Sequence, residues 1–173
     1  MRWAIAGLCL VAAACSGQEL SLTSPSTTDG LQAVAGTELP FRGSFTRQSS
    51  AVFEPPITLV ITGTQTGTAT HLGQFTAASV NRVNTTNNTS TDGTFNFTAA
   101  SGDRLLATTV GAEQEFVPPN VTKVTLNATI VGGTGRFAGA SGSFVIHITE
   151  AIDLVANSAT GTGSFEGTIN LNR

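Results

Sequence analysis

Val121-Thr122-Lys123-Val124-Thr125-Leu126-Asn127-Ala128-Thr129-Ile130 alternates without a break, and it places Val124, Leu126, Ala128 and Ile130 on one side. Successive side chains of a strand point to opposite faces, so a period of two sustained over this length reads as a half-buried β-strand. The same period recurs on either side of it. Leu39, Phe41, Gly43 and Phe45 share a face, and 57–62, 93–98, 143–148 and 163–169 alternate likewise. No window of a dozen residues carries the i, i+3, i+4 stripe of an amphipathic helix. The alternation predicts strands at 39–47, 57–66, 68–80, 93–100, 103–112, 120–131, 143–152 and 160–170. Turn formers separate them: Glu54-Pro55-Pro56, the Asn/Thr/Ser stretch 84–92, Ser101-Gly102-Asp103, Pro118-Pro119-Asn120 and the Gly-rich run 132–142. Eight strands joined as hairpins predict an all-β fold: an antiparallel eight-stranded up-and-down barrel, which removes exposed edges by closure. A two-sheet sandwich is the alternative.

Composition agrees with strands and excludes several functions. The chain has 173 residues, room for one ordinary domain. Charged residues are only 11%, against roughly 25% in typical soluble proteins. Thr is abundant, Gly reaches 19, Tyr is absent, and ten Phe supply nearly all the aromatic content. A net charge of −3 with no basic cluster speaks against nucleic acid, because phosphate binding needs local Lys/Arg excess. Two His and two Cys predict neither a metal centre nor a disulfide framework. No cofactor is expected.

The N-terminus reads as an address. Arg2 begins a positive n-region, and Trp3 to Ala14 form an apolar run too short for the roughly 20 residues of a spanning helix. Residues 1–14 are therefore expected to be a signal peptide. Ala12-Ala13-Ala14-Cys15 resembles a bacterial lipobox, with Ala12 where Leu is usual, and predicts lipidation at Cys15. An ordinary signal cleaved after Ala14, leaving an unmodified thiol, is the other reading. Residues 15–38 are Ser/Thr-rich and aperiodic, and read as a lipidated N-terminus and flexible tether; 39–173 form the barrel domain. The expected place is outside the cytoplasm, anchored to a membrane through the N-terminal lipid and facing periplasm or cell exterior. A barrel embedded in the bilayer is not expected, because the faces opposite the Phe residues are Thr, Asn and Ser, with no aromatic girdles.

Ile130-Val131-Gly132-Gly133-Thr134-Gly135-Arg136-Phe137-Ala138-Gly139-Ala140-Ser141-Gly142-Ser143-Phe144 resembles a signature of the allene oxide cyclase and dirigent barrel superfamily. There a strand ends in Gly-Gly-Thr/Ser-Gly-x-Phe and a Gly-rich turn leads into the next. The segments 69–76 and 97–103 resemble parts of bacterial members, many of them exported proteins of undefined function. The resemblance spans roughly 39–170. It implies the barrel and assigns Gly132, Gly133, Gly135, Phe137, Gly139 and Gly142 to a structural turn. It carries over no catalytic residue, since none of the plant enzymes' positions can be matched, and shared fold is not shared chemistry.

Other motifs dissolve on inspection. Gly133-Thr134-Gly135-Arg136-Phe137-Ala138 fits a dinucleotide fingerprint, but alternation resumes where the required helix would start. Gly139-Ala140-Ser141-Gly142-Ser143 lacks the final Gly and the strand-to-helix turn of a nucleophile elbow. Glu113 and Glu115 read as solvated rim carboxylates. The Asn-rich loop 81–92 carries too little charge for calcium. His71, at i−4 from Phe75, is expected on the inward Phe face as the one inward polar candidate, whereas His147 should face out. Phe75, Phe95, Phe97, Phe144 and Phe165 are core first and, with His71, candidate cavity lining second. The expected function is non-enzymatic: a lipid-anchored barrel binding a small apolar ligand or a surface partner. The alternative is a cyclase- or isomerase-like enzyme acting on a small hydrophobic substrate in the barrel.

Overall fold

Each alternating stretch forms a strand, and each strand pairs with its chain neighbours. The computed structural model describes residues 37–172; the signal-like segment, Cys15 and nearly all of 15–38 lie outside the described residues. The strands are β1 (Glu38–Glu54), β2 (Thr58–Ala69), β3 (Gly73–Asn84), β4 (Thr89–Ala99), β5 (Arg104–Val117), β6 (Val121–Gly133), β7 (Ser141–Asp153) and β8 (Ser158–Asn170). All neighbours are antiparallel, and β1 pairs with both β2 and β8, so the sheet closes into an eight-stranded barrel. The sandwich alternative is ruled out by that closure.

Several strands run further than predicted. β1 continues through Gln48-Ser49-Ser50 to Glu54, because its backbone there is still paired, Gln48 with Thr64 and Ser50 with Thr62. The predicted Asn-rich loop 81–92 is mostly strand. β3 runs to Asn84 and β4 starts at Thr89, with a bulge opposite Arg82/Val83 that returns Phe95 and Phe97 to the inward face. β5 likewise extends past its bulge, at Gly111 with φ 61°, to Val117.

The turn between β2 and β3 corrects the reading of His71. A single strand over 68–80 would have placed it with Phe75, but the chain reverses at 70–72 and His71 takes a left-handed φ of 62°. Period two does not survive a turn. The side chain that points inward there is Leu72, 1% exposed.

The interior has two halves. Toward the end where β1 begins, Phe41, Phe45, Phe75, Phe95, Phe97, Phe144 and Phe165 pack with Leu105, Leu126, Ile146 and Ile169 in one cluster. Ring centroids lie 5.1 Å apart for Phe41–Phe144, 5.3 Å for Phe75–Phe97 and 5.6 Å for Phe97–Phe165, all edge-to-face. Glycines make the room. A Cβ on Gly163 would stand 2.2 Å from the Phe45 ring, and one on Gly43 2.5 Å from that of Phe165. The Gly-rich segment closes this end. A 3-10 turn, Gly135–Phe137, drives Phe137 into the barrel with no exposed surface. Gly135, Gly139 and Gly142 take φ of 58°, 70° and 140° to allow it. Arg136 braces the plug, with Nη2 donating to the Leu72 carbonyl at 3.3 Å and Nε 3.5 Å from Asp103 Oδ2.

Candidate functional site

The inward register continues past the phenylalanines on three strands, and there it changes chemistry. On β1 the series Phe41, Gly43, Phe45 goes on to Arg47; on β7, Phe144, Ile146, Ile148 goes on to Glu150; on β3, Phe75, Ala77 goes on to Ser79 and Asn81. Arg47 and Glu150 are 4% and 8% exposed. Arg47 Nε donates to Glu150 Oε1, and its Nη1 donates to Ser79 Oγ at 2.9 Å. Ser49 Oγ donates to the same carboxylate oxygen at 3.1 Å. Gln65 completes the belt: its amide oxygen faces Arg47 Nη1 and Ser79 Oγ, both at 2.8 Å, while its NH2 donates to the Ala77 carbonyl at 2.9 Å. Beside them Thr109 Oγ1 donates to Asn81 Oδ1 at 2.9 Å. Gly63 matters here, since a Cβ would stand 2.7 Å from the Arg47 guanidinium carbon.

Above this belt lies a cavity of about 270 Å³. Arg47, Ser49, Asn81 and Glu150 contribute its polar lining, and Leu59, Ile61, Val83, Val124, Ile148 and Ile152 much of its apolar wall. It opens at the end of the barrel bearing the β1–β2, β3–β4, β5–β6 and β7–β8 turns, and Leu154 and Asn157 of the last turn line it as well. Two further wall residues, Ser90 and Thr122, are 4% and 3% exposed, and their hydroxyl oxygens have no hydrogen-bond partner among the described residues. A buried polar group without a partner is uncommon enough to call for an explanation. The wall itself is incomplete beside them. Among the described residues the β4–β5 ladder runs only from Gly93↔Thr109 to Thr98↔Arg104, so Thr89–Asp92 and the outer half of β5 part company toward the mouth.

The predicted site residues lie elsewhere. Phe75, Phe95, Phe97, Phe144 and Phe165 belong to the packed cluster beneath the polar belt and do not line this cavity. His71 sits in the β2–β3 turn at the plugged end. His147 faces outward, its Nδ1 3.3 Å from Thr125 Oγ1. Glu115 is exposed, 3.6 Å from Lys123 Nζ, an arrangement that contributes little in water. Gly132, Gly133, Gly135, Phe137, Gly139 and Gly142 form the turn and plug described above. Arg47 and Glu150 escaped the sequence reading although the signal was present. Each stands two residues beyond an inward apolar residue, in unbroken alternation, and their charges are opposite.

The eight strands form a closed up-and-down barrel, plugged by a Gly-rich turn at one end and hollow at the other. No family model matches the chain, and no curated protein does. Among solved structures it is similar to that of the pterocarpan synthase dirigent protein GePTS1, with a TM-score of 0.47 and 15% identity over 79% of this chain and 87% of that one.

Proposed function

We propose that the protein is an exported, lipid-anchored barrel that binds a small, uncharged, largely apolar ligand in the mouth cavity. The observation that carries this reading is the cavity itself: an apolar wall over a floor where Arg47 and Glu150 neutralise each other, the further carboxylate, Asp153, lying exposed at the mouth and accepting from the Val155 and Ala156 amides. An anionic ligand would compete with Glu150 for Arg47, and a cationic one would leave Arg47 unpaired, so a neutral molecule fits the floor best. Glu150 Oε1 accepts from Arg47 and Ser49; among the described residues no donor reaches Oε2, which can accept from a ligand hydroxyl or N–H. Ser90 and Thr122 offer two more hydrogen-bonding groups in the wall. The volume lies just below the roughly 300 Å³ at which ligand pockets ordinarily begin, which calls for a small molecule.

A buried ion pair is no better for stability than a well-packed apolar pair of the same volume, and is often worse. Its position against a cavity therefore supports a role in recognition. The same carboxylate favours a second reading, a cyclase- or isomerase-like enzyme in which Glu150 moves a proton on a hydrophobic substrate. One preparation tests both parts of the proposal. Wild-type protein should stay with membranes through repeated dilution and washing, whereas Cys15→Ser should be released by them. Native mass spectrometry of each should show a bound small molecule, which Glu150→Gln binds at least about tenfold more weakly, the loss of a charged acceptor. A soluble wild type sinks the anchor. Protein with no bound mass, which no neutral apolar compound stabilises, sinks the ligand.

A further inference from the structure

Eight large apolar side chains are exposed among the described residues, and six of them surround the mouth. Val52 and Phe53 lie among the last residues of β1, Ile57 in the β1–β2 turn, Phe116 next to the end of β5, and Leu154 and Val155 at the tip of the β7–β8 turn. Leu154 is 75% exposed and Val155 95%. They rise from three separate hairpins at one end of the molecule, whereas the fourth tip, Thr85-Thr86-Asn87-Asn88, is polar. Single exposed apolar residues need no explanation; a group gathered around one opening does.

We infer that the mouth seats on the surface of an uncharged lipid bilayer, with these tips in the boundary between headgroups and acyl chains. Charge selects the surface. The rim carries Glu54, Asp92, Glu115 and Asp153 against Arg82 and Lys123, a net negative charge, so an anionic membrane would repel it, and so would the rim of a second copy. The cavity supplies continuity. Leu154 belongs both to the exposed tip and to the cavity wall, giving an apolar path from a bilayer to the interior. The length of chain outside the barrel permits the orientation. β1 begins at the plugged end, but the roughly 22 residues from Cys15 to Thr37 have a contour length of about 75 Å. A strand of 13 residues such as β7 spans only about 43 Å. A chain held at Cys15 can therefore turn its mouth to the same bilayer.

The test exploits the chain's single tryptophan, Trp3. Full-length protein carrying Trp3→Phe and Cys15→Ser, which removes the lipid site, is given one new indole at Val155→Trp. With phosphatidylcholine vesicles its emission should shift to the blue and be quenched by brominated acyl chains. A matched protein with Thr64→Trp, on the exposed wall of β2, should show neither effect. Adding Phe53→Ser to the Val155→Trp reporter should weaken vesicle binding about tenfold or more, the loss of one buried aromatic contact. An unmoved Val155→Trp emission overturns the inference and leaves the rim to a protein partner. Equal responses at both positions overturn it too, because the apolar segment 1–14 would then be the part that binds. A response that requires phosphatidylserine refutes the assignment to an uncharged surface. The vesicle response is read with no cavity ligand added, so an empty cavity leaves it standing and an inert rim does not.

Discussion

The plugged half and the open half of this barrel are made by the same eight strands with the same alternation, and they differ in what fills the inward positions. Below the Arg47–Glu150 belt the inward residues are Phe rings facing Gly, as with Phe45 over Gly163 and Phe165 over Gly43. Large against absent is the complementarity that fills a small barrel. Above the belt small and middle-sized inward residues such as Ala51, Val83, Val124 and Ala159 stand among the larger aliphatic ones, no Phe ring lines the space among the described residues, and a cavity is left. Alternation decides which way a side chain points. Volume across the axis decides whether the space it points into is core or cavity.

Truncations should separate the halves most strongly. Phe97 has no exposed surface and meets Phe41, Phe75, Phe95, Phe144 and Phe165. Phe97→Ala should cost about 3–5 kcal/mol in urea or thermal denaturation. Ile148→Ala, at the cavity wall, should fall near the lower end of the ~2–5 kcal/mol range for such changes, because one side of the chain already lacks contacts. Equal costs would mean that the mouth is packed as tightly as the plug.

The contrast also separates what was legible in the sequence from what was not. The strands, their inward faces and the Gly-rich turn follow from local rules, since period two and positive-φ glycines are visible residue by residue. Strand ends at the mouth were less visible. Gln48-Ser49-Ser50 and Asn84 look like loop, and only pairing with Thr64, Thr62 and Thr58 holds them in the sheet. The error at His71 has a related cause: alternation was carried across 70–72, where the chain reverses. The cavity was sought among the phenylalanines because the largest apolar residues invite that reading. Whether seven rings fill a barrel depends on glycines on other strands, which no single stretch of sequence reveals. Arg47 and Glu150 were legible one by one; that they meet across the barrel, 103 residues apart, follows only from closure.

Enlarging small inward residues gives the next contrast. Ala107 is 2% exposed within the packed cluster, and Ala159 lines the cavity. Ala107→Leu must displace neighbours and should cost about 1–3 kcal/mol. Ala159→Leu has space to enter and should leave apo stability within about 0.5 kcal/mol of wild type while excluding the ligand. A large loss for Ala159→Leu would show that the mouth cannot accept even a few added atoms, and ligand binding there would fail with it.

The smallest effect is the most diagnostic, because one chemical change should act with opposite signs in two places. Thr109 and Thr122 are both buried inward threonines. Thr109 Oγ1 donates to Asn81 Oδ1, whereas the Thr122 hydroxyl has no partner among the described residues. Valine replaces hydroxyl by methyl at nearly constant shape. Thr109→Val strands the Asn81 acceptor and should destabilise by about 1–2 kcal/mol. Thr122→Val removes a desolvated hydroxyl that gains nothing in the apo protein, and should stabilise it by up to about 1 kcal/mol. If that hydroxyl is kept for a ligand, the same variant should also lose part of the stabilisation the ligand confers, so the two thermal shifts move apart: apo upward, liganded downward. Should Thr122→Val instead destabilise the apo protein as Thr109→Val does, its hydroxyl is already satisfied inside the wall. The open half would then differ from the plugged half in shape alone, with no unmet hydrogen bond left for a ligand to make.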